Sequence, residues 1–359
     1  MRLDPLARLL ALLAVAVFGA ATLTVTASDG SAVSPTAVAA PAQAPTAVHP
    51  QARQRRMVVR TERAAVRRTP QRAVATHTVA PRRTKTAGKA AHKRPTPYLP
   101  QGTGMWIYQW HRTSGGSAKR IVTRAEHVGL STLYLRTGSS WDGFTGQRTL
   151  PALLRATRGT DVSVVAWDFP RLRHPVRDAR RLAHAARFGR SHDGPHVAAV
   201  APDIETPAEG TFNAAWRVRL YLRTLNKRLP RGVTILSTVP WPSSYRRADY
   251  PYRTVAAHSD VLVPMAYWYN NPPGLVTARS IHYLRQFRKP VAPVGQGYDG
   301  KLDVPSLRHN HLGREVPVFL RTAARAHVRA VSIWSWQSSE SATWNALRRA
   351  HHLFPARSR

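Results

Sequence analysis

The chain has 359 residues, no cysteine and a formal net charge of +36. The missing cysteine excludes disulfides, thiolate metal sites, lipoprotein anchoring and cysteine nucleophiles. The charge raises nucleic acid as a partner, but no nucleic-acid-binding motif accompanies it, and attraction to an anionic cell-wall polymer or to lipid headgroups accounts for it better.

Residues 1–27 read as a signal peptide or an N-terminal anchor. Arg2 and Arg8 precede an apolar stretch from Leu9 to Val25, and Val25-Thr26-Ala27 offers a cleavage point. Left uncleaved, a run of that length is close to the ~17-residue lower limit for a membrane span. With the positive residues first, the remainder is expected outside the cytoplasm in either case, secreted or associated with the cell envelope. Residues 28–97 are mostly Ala, Pro, Thr, Val and Arg, with few large apolar side chains to offset the entropy of ordering. The expectation there is a disordered, charge-extended tether, adhering to an anionic wall polymer or membrane surface.

From residue 98 onward about 260 residues remain, close to the ~250 typical of a barrel built from strand–helix units. Eight near-continuously apolar runs are predicted as strands: 105–110, 132–136, 162–168, 197–205, 233–238, 260–267, 290–296 and 330–336. Helical stripes lie between them. Ser117 caps a first helix whose Ile121, Val122, Ala125 and Val128 face inward, and Gly129 stops it. Ala215, Val218, Leu222, Leu225 and Leu229 form a second stripe, ended by Pro230 and Gly232. A last helix from about Ser341 buries Trp344 and Leu347. The alternation predicts a closed parallel (β/α)8 barrel, a TIM barrel, over 98–359. An open doubly wound sheet is disfavoured, since no Gly-rich phosphate loop follows the first strand.

In such a barrel the working face lies at the C-terminal ends of the strands. The predicted strands deliver Tyr108, Arg136, Trp167, Asp168, Asp203, Glu205, Met265, Tyr267, Gln296, Trp334 and Trp336 to that rim. Carboxylates move protons and aromatic faces cover sugar rings, so the set points to a carbohydrate site. Asp203-Ile204-Glu205 is the sharpest feature, because strand alternation turns both carboxylates the same way. Two carboxyls so close cannot both ionise freely, and one is expected to hold its proton near neutral pH. The bland alternative is an ion pair with a neighbouring strand, for example with Arg136. Asp168 is an auxiliary acid or a helix cap. Trp334 and Trp336 share an alternation, with one of them expected in the core. Trp141 and Asp142 are a sugar subsite or an ordinary rim pair.

The segments AVAPDIE, PMAYW and SIWSW resemble glycoside hydrolase family 18, the chitinases and related endo-acetylglucosaminidases. The resemblance implies that Glu205 is the acid and that Asp203 orients the substrate's 2-acetamido group, whose oxygen is the nucleophile. It also implies that Met265 and Tyr267 belong to the sixth-strand segment and that Trp334 is the sugar platform. The pattern departs from that family at Ala198 and Ala201, where its outer Asp residues stand, and at Trp268, which replaces an Asp.

The expected function is hydrolysis of a chitin-like or peptidoglycan-type glycan by carboxylate acid catalysis. Glu205, Asp203 and Tyr267 are placed as catalytic residues, with Tyr108, Arg136, Trp167, Asp168, Met265, Gln296, Trp334 and Trp336 as substrate contacts. The alternative is a non-catalytic wall-binding barrel. No cofactor or metal is expected: His309-x-His311 has no clear carboxylate partner, and Ser338-Ser339 lacks nucleophile-elbow glycines. The expected partners are a polysaccharide and an anionic surface, and the chain is expected to be a monomer.

Overall fold

Helix starts and stops follow the local chemistry of the chain, and the strands between them close on themselves. A computed structural model describes residues 97–188, 196–302 and 305–355. The expected export segment (1–27) and the tether (28–97, apart from Pro97) lie outside the described residues.

The strands are β1 (Gly102–Ile107), β2 (Leu130–Ser139), β3 (Gly143–Phe144), β4 (Ser163–Phe169), β5 (Ala199–Pro202), β6 (Thr234–Pro240), β7 (Val261–Ala266), β8 (Val294–Gln296) and β9 (Ala330–Trp334). All but β3 pair in parallel with their neighbours, and β1 pairs with both β9 and β2, which closes the barrel. The helices are α1 (Ala118–Val128), α2 (Thr149–Ala156), α3 (Pro175–Arg187), α4 (Ala215–Arg228), α5 (Ser244–Asp249), α6 (Tyr252–Ala257), α7 (Pro273–Arg285), α8 (Leu312–Arg325) and α9 (Ser341–Ala350). The expected (β/α)8 architecture is therefore present, with each predicted strand run contributing one barrel strand.

The α1 boundaries show how the sequence sets the elements. The Ser117 side chain accepts the Arg120 backbone N–H at 3.4 Å, and Gly129 ends the helix in the left-handed region at φ 79°. Ile121, Val122, Ala125 and Val128 are buried, as their spacing requires. In α4, Val218, Leu222 and Leu225 are buried while Ala215 faces solvent, because the first turn of the helix stands clear of the barrel.

Alternate strand residues feed two cores. One lies between the barrel and its helices and takes Ile107, Leu133, Leu135, Val164, Val200, Ile235, Val239, Leu262 and Ile333. The other fills the barrel, with Trp106, Tyr134, Val165, Trp167, Ala199, Ala201, Leu236, Val263 and Val294. The interior is divided unevenly. Trp106 stacks on Tyr134 at 4.4 Å and 7°, and the Trp167 ring lies 5.7 Å from Trp106. The alanines of β5 leave the room these rings need. Both indole N–H groups are satisfied, Trp106 donating to Ser332 Oγ at 2.9 Å and Trp167 to the Ile107 carbonyl at 3.2 Å. Tyr98 packs against the interior cluster and exchanges a 3.0 Å hydrogen bond with Thr132.

Three departures from the predicted elements have local causes. Strand β5 is shorter than the 197–205 run, because Pro202 has no N–H to give and Asp203 keeps only a single bridge, to Thr238. Strand β8 starts late because Pro290 and Pro293 interrupt its ladder. The hairpin strand β3 has no hydrophobic period to announce it. It depends on Gly143 at φ 71°, which folds Gly143–Phe144 antiparallel onto Gly138–Ser139.

Candidate active site

The chain leaves the sheet just after Pro202, so Asp203 and Glu205 stand at the C-terminal mouth of the barrel. Asp203 donates its backbone N–H to the Asp168 carbonyl at 2.9 Å and is bridged to Thr238 on the other side. It sits two residues above Ala201, which is in register with Trp167. The Tyr250 hydroxyl donates to the Ile204 carbonyl at 2.7 Å, pinning the peptide between the two acids. Beyond Glu205, Thr206–Glu209 form a capping box in which Glu209 accepts from both the backbone N–H and the hydroxyl of Thr206.

Neither Asp203 nor Glu205 is ion-paired among the described residues. Asp203 is buried, and its Oδ1 has no hydrogen-bond partner among them. That is rare for a buried carboxylate and common where a site takes a ligand. Burial, reinforced by Glu209 and Asp168 and opposed by Arg136, raises the Asp203 pKa to about 7. Burial also raises Glu205 well above the usual carboxylate range, with Asp203 and Glu209 adding to it and Arg246 opposing. The two carboxyls therefore titrate as a pair that keeps a proton near neutral pH, as a general acid requires.

Aromatic side chains wall the mouth. Trp334 lies 5.7 Å from Tyr108, 5.4 Å from Trp167 and 6.0 Å from Trp106, so these rings form one cluster. Tyr108, Tyr267 and Trp334 are half-buried and pack onto the interior core, whereas Trp167 is buried and keeps little face for a ligand. Met265 is a buried interior residue. Arg136 lies over the Tyr108 ring at 4.9 Å and pairs with Asp142 at 2.7 Å, so the cross-strand pair envisaged for the two acids is made with the loop instead. Trp141 stacks on Phe169 at 5.3 Å.

The remaining predicted site residues point elsewhere. Asp168 shares the parity of Val164 and Ala166, so its carboxylate faces the helices and receives two hydrogen bonds from Arg181, at 2.6 and 2.7 Å. Arg181 also reaches Asp178 at 2.8 Å. Glycine is needed at position 138, since a Cβ there would meet the Gly143 carbonyl oxygen and lie 3.0 Å from Asp168 Oδ2. Trp336 is in the helix-side core, 4.7 Å from Trp344 and near the Arg124 guanidinium, because a short 3-10 turn over Trp336–Ser338 breaks the alternation after Trp334. Gln296 is buried and holds loops together: it accepts from the Tyr269 N–H and donates to the Tyr298 carbonyl and to Asn310 Oδ1, each at 2.9 Å. Trp268 turns away from the mouth and donates to Glu315 at 2.9 Å. His309 pairs with Asp299 at 2.6 Å, and no metal-binding cluster occurs among the described residues.

Sequence reasoning missed Glu209 and Arg246, which help set the protonation of the acids. The S/T-x-x-E spacing of Thr206–Glu209 was the available signal for the first. The Arg181 pair carries a prediction of its own. Arg181→Met leaves Asp168 and Asp178 as buried unpaired carboxylates, and is expected to lower unfolding free energy by about 3–5 kcal/mol in urea titrations. A loss below about 1 kcal/mol would show that solvent reaches the pair.

No protein-family model and no curated protein sequence matches the chain. Among solved structures, a chitinase from Chromobacterium violaceum ATCC 12472 superimposes with a TM-score of 0.51 at 11% identity, covering 70% of this chain and 99% of its own. The spore cortex-lytic enzyme of Bacillus megaterium QM B1551 gives 0.50 at 9%, covering 70% and 74%. The endo-1,4-beta-mannanase of Rhizomucor miehei gives 0.50 at 9%, covering 72% and 96%. The barrel is thus similar in fold to those of chitinases and mannanases, at identities where the fold alone is common to them.

Proposed function

We propose that the protein is a glycoside hydrolase, acting outside the cytoplasm on a polysaccharide that contains N-acetylated sugars. The observation that carries this reading is the pair Asp203 and Glu205, without ion-pair partners among the described residues at the mouth of a barrel, with both carboxyls pushed by burial toward the protonated form. The surrounding Tyr108, Tyr267 and Trp334 supply apolar faces for sugar rings. The Arg2 and Arg8 charges before the Leu9–Val25 run support export.

On this reading Glu205 gives its proton to the glycosidic oxygen as the bond from that oxygen to the anomeric carbon breaks. The positive charge left on the anomeric carbon is taken up by the oxygen of the substrate's own acetamido group, oriented by Asp203. A water then adds to the anomeric carbon as the bond from the acetamido oxygen to that carbon breaks, and its proton passes to the Glu205 carboxylate, restoring the acid. Tyr267, half-buried against the interior core, stabilises the developing charge on the same reading.

The test is product release by the full chain from soluble chitin oligomers, mannan oligomers and purified peptidoglycan. Release from the N-acetylated substrates and not from mannan is expected. Release from mannan alone would remove the acetamido mechanism and leave the acid role of Glu205 intact. Binding without hydrolysis of any of the three would assign the barrel to glycan recognition.

A further inference from the structure

The loops that follow β2, β4 and β5, together with the first turn of α4, carry side chains that the proposed chemistry does not use. Trp141, Phe212 and Trp216 are 42%, 45% and 57% exposed, large fractions for aromatic rings. Guanidinium groups alternate with them. Arg171 lies 4.8 Å from the Trp141 ring and 5.9 Å from Phe212; Arg217 lies 5.7 Å from Phe212 and 4.4 Å from Trp216. The result is an unbroken ladder of ring, guanidinium, ring, guanidinium, ring. Its first ring stacks on Phe169, an interior residue of the barrel mouth, at 5.3 Å.

The ladder is fixed in place by the backbone. Arg171 donates to the Gly210 carbonyl at 3.0 Å, in the loop that follows Glu205. The Phe212 N–H donates to the Arg171 carbonyl at 2.7 Å. Arg217 donates to the carbonyls of Leu172 and Arg173 at 3.0 and 2.9 Å. At its far end the ladder opens into a shallow depression of about 690 Å³ between α3 and α4, lined by Arg173, His174, Arg177, Arg180, Trp216 and Arg217. None of Arg171, Arg173, Arg177, Arg180 and Arg217 is ion-paired among the described residues. Arg171 spends its Nε–H on Gly210 and Arg217 spends Nη1 on Leu172 and Arg173, which leaves their other guanidinium N–H groups for planar anions, while exposed rings accept sugar faces.

We propose that this ladder is an extended subsite for an anionic glycan, one that carries carboxylate or phosphate groups along its sugar chain and runs from the α3–α4 depression into the mouth. The proposal rests on the glycosidase reading for what happens at the mouth, and adds to it the charge of the substrate. Rings at Trp216, Phe212 and Trp141 bind the sugars, and the intervening arginines select their charge. Nucleic acid presents stacked rings and anions too, but its bases would need to be splayed along the ladder, and the mouth at its end is lined with acids.

The test is calorimetric binding of the full chain to oligogalacturonate, to a glycerol-phosphate polymer, to a neutral chitin oligomer of matched length and to single-stranded DNA. Three forms are compared: wild type, Trp216→Ala and Arg173→Gln/Arg177→Gln. These side chains are exposed, so the substitutions leave the barrel intact, and residues 1–96 are the same in every form. Wild type is expected to bind at least one anionic glycan about tenfold more tightly than the chitin oligomer. The arginine variant is expected to lose that preference while holding the neutral oligomer unchanged, and Trp216→Ala to weaken the anionic glycan by about fivefold. Whichever polymer shows the preference identifies carboxylate or phosphate as the anion. Equal binding of neutral and anionic oligomers overturns the subsite while leaving hydrolysis at Glu205 standing. Wild-type affinity in both variants, or a loss confined to DNA, overturns it as well. Anionic binding with the expected variant losses but without hydrolysis of any glycan supports the subsite and removes the glycosidase reading.

Discussion

Glu205→Gln is expected to lower kcat by about 10³-fold while leaving glycan affinity within about twofold of wild type. The amide keeps the size and polarity of the side chain and lacks only the proton to transfer. Burial, with the neighbouring Asp203 and Glu209, raises the Glu205 pKa well above the usual carboxylate range, which favours its keeping that proton. Its kcat should fall as pH rises through the pKa of the pair, and the residual activity of the variant should lose that limb. Single-turnover assays with a substrate bearing a good leaving group sharpen the point, since a leaving group that needs no proton should recover most of the lost rate. A variant with full activity would move the acid role away from Glu205.

Asp203→Asn is expected to raise thermal stability at pH 8 while lowering activity by about 10²-fold. With a folded-state pKa of about 7 against an unfolded value near 3.9, the Asp203 carboxyl binds its proton more tightly in the folded protein. Its favourable contribution is complete below about pH 4 and is lost as pH rises through about 7. The shift corresponds to about 4 kcal/mol at most, and the shared proton with Glu205 reduces it, so about 2 kcal/mol is expected. For a domain of this size that is an increase in Tm of about 4–8 °C at pH 8, vanishing near pH 4. An equal change at both pH values would trace the effect to packing. No change at either would show that Asp203 is solvated in the folded state. Together with Glu205→Gln, this variant separates the two carboxyls: one is expected to govern proton delivery, the other to keep stability low in return for a poised site.

Much of the barrel was legible because its signals are local and repeated. Apolar runs bounded by Pro, Gly and capping residues depend on neighbouring positions only, and the eight predicted runs each supplied one of the eight barrel strands. The Asp203–Glu205 spacing marked the end of a strand, but β5 stops at Pro202, so alternation along the strand does not by itself set the direction of both acids.

The same period already held information about Asp168, whose parity matches Val164 and Ala166 and turns it toward Arg181, thirteen residues on in α3. Reading a strand end as a rim position hid that parity. Trp336 and Trp334 could not be told apart by alternation, because a turn begins between them. Gln296 lies at a strand end, yet is consumed by contacts to Tyr269, Tyr298 and Asn310 that no local pattern records.

By itself the sequence determined the succession of strands and helices and the closed parallel architecture, since these follow from capping and periodicity along one chain. The tertiary structure decided which carboxylates stay unpaired, which aromatics keep a free face, and that Trp141, Phe212 and Trp216 line up with Arg171 and Arg217. Those outcomes turn on contacts between segments far apart in sequence, where burial and the nearest charge, rather than residue type, fix what a side chain can do.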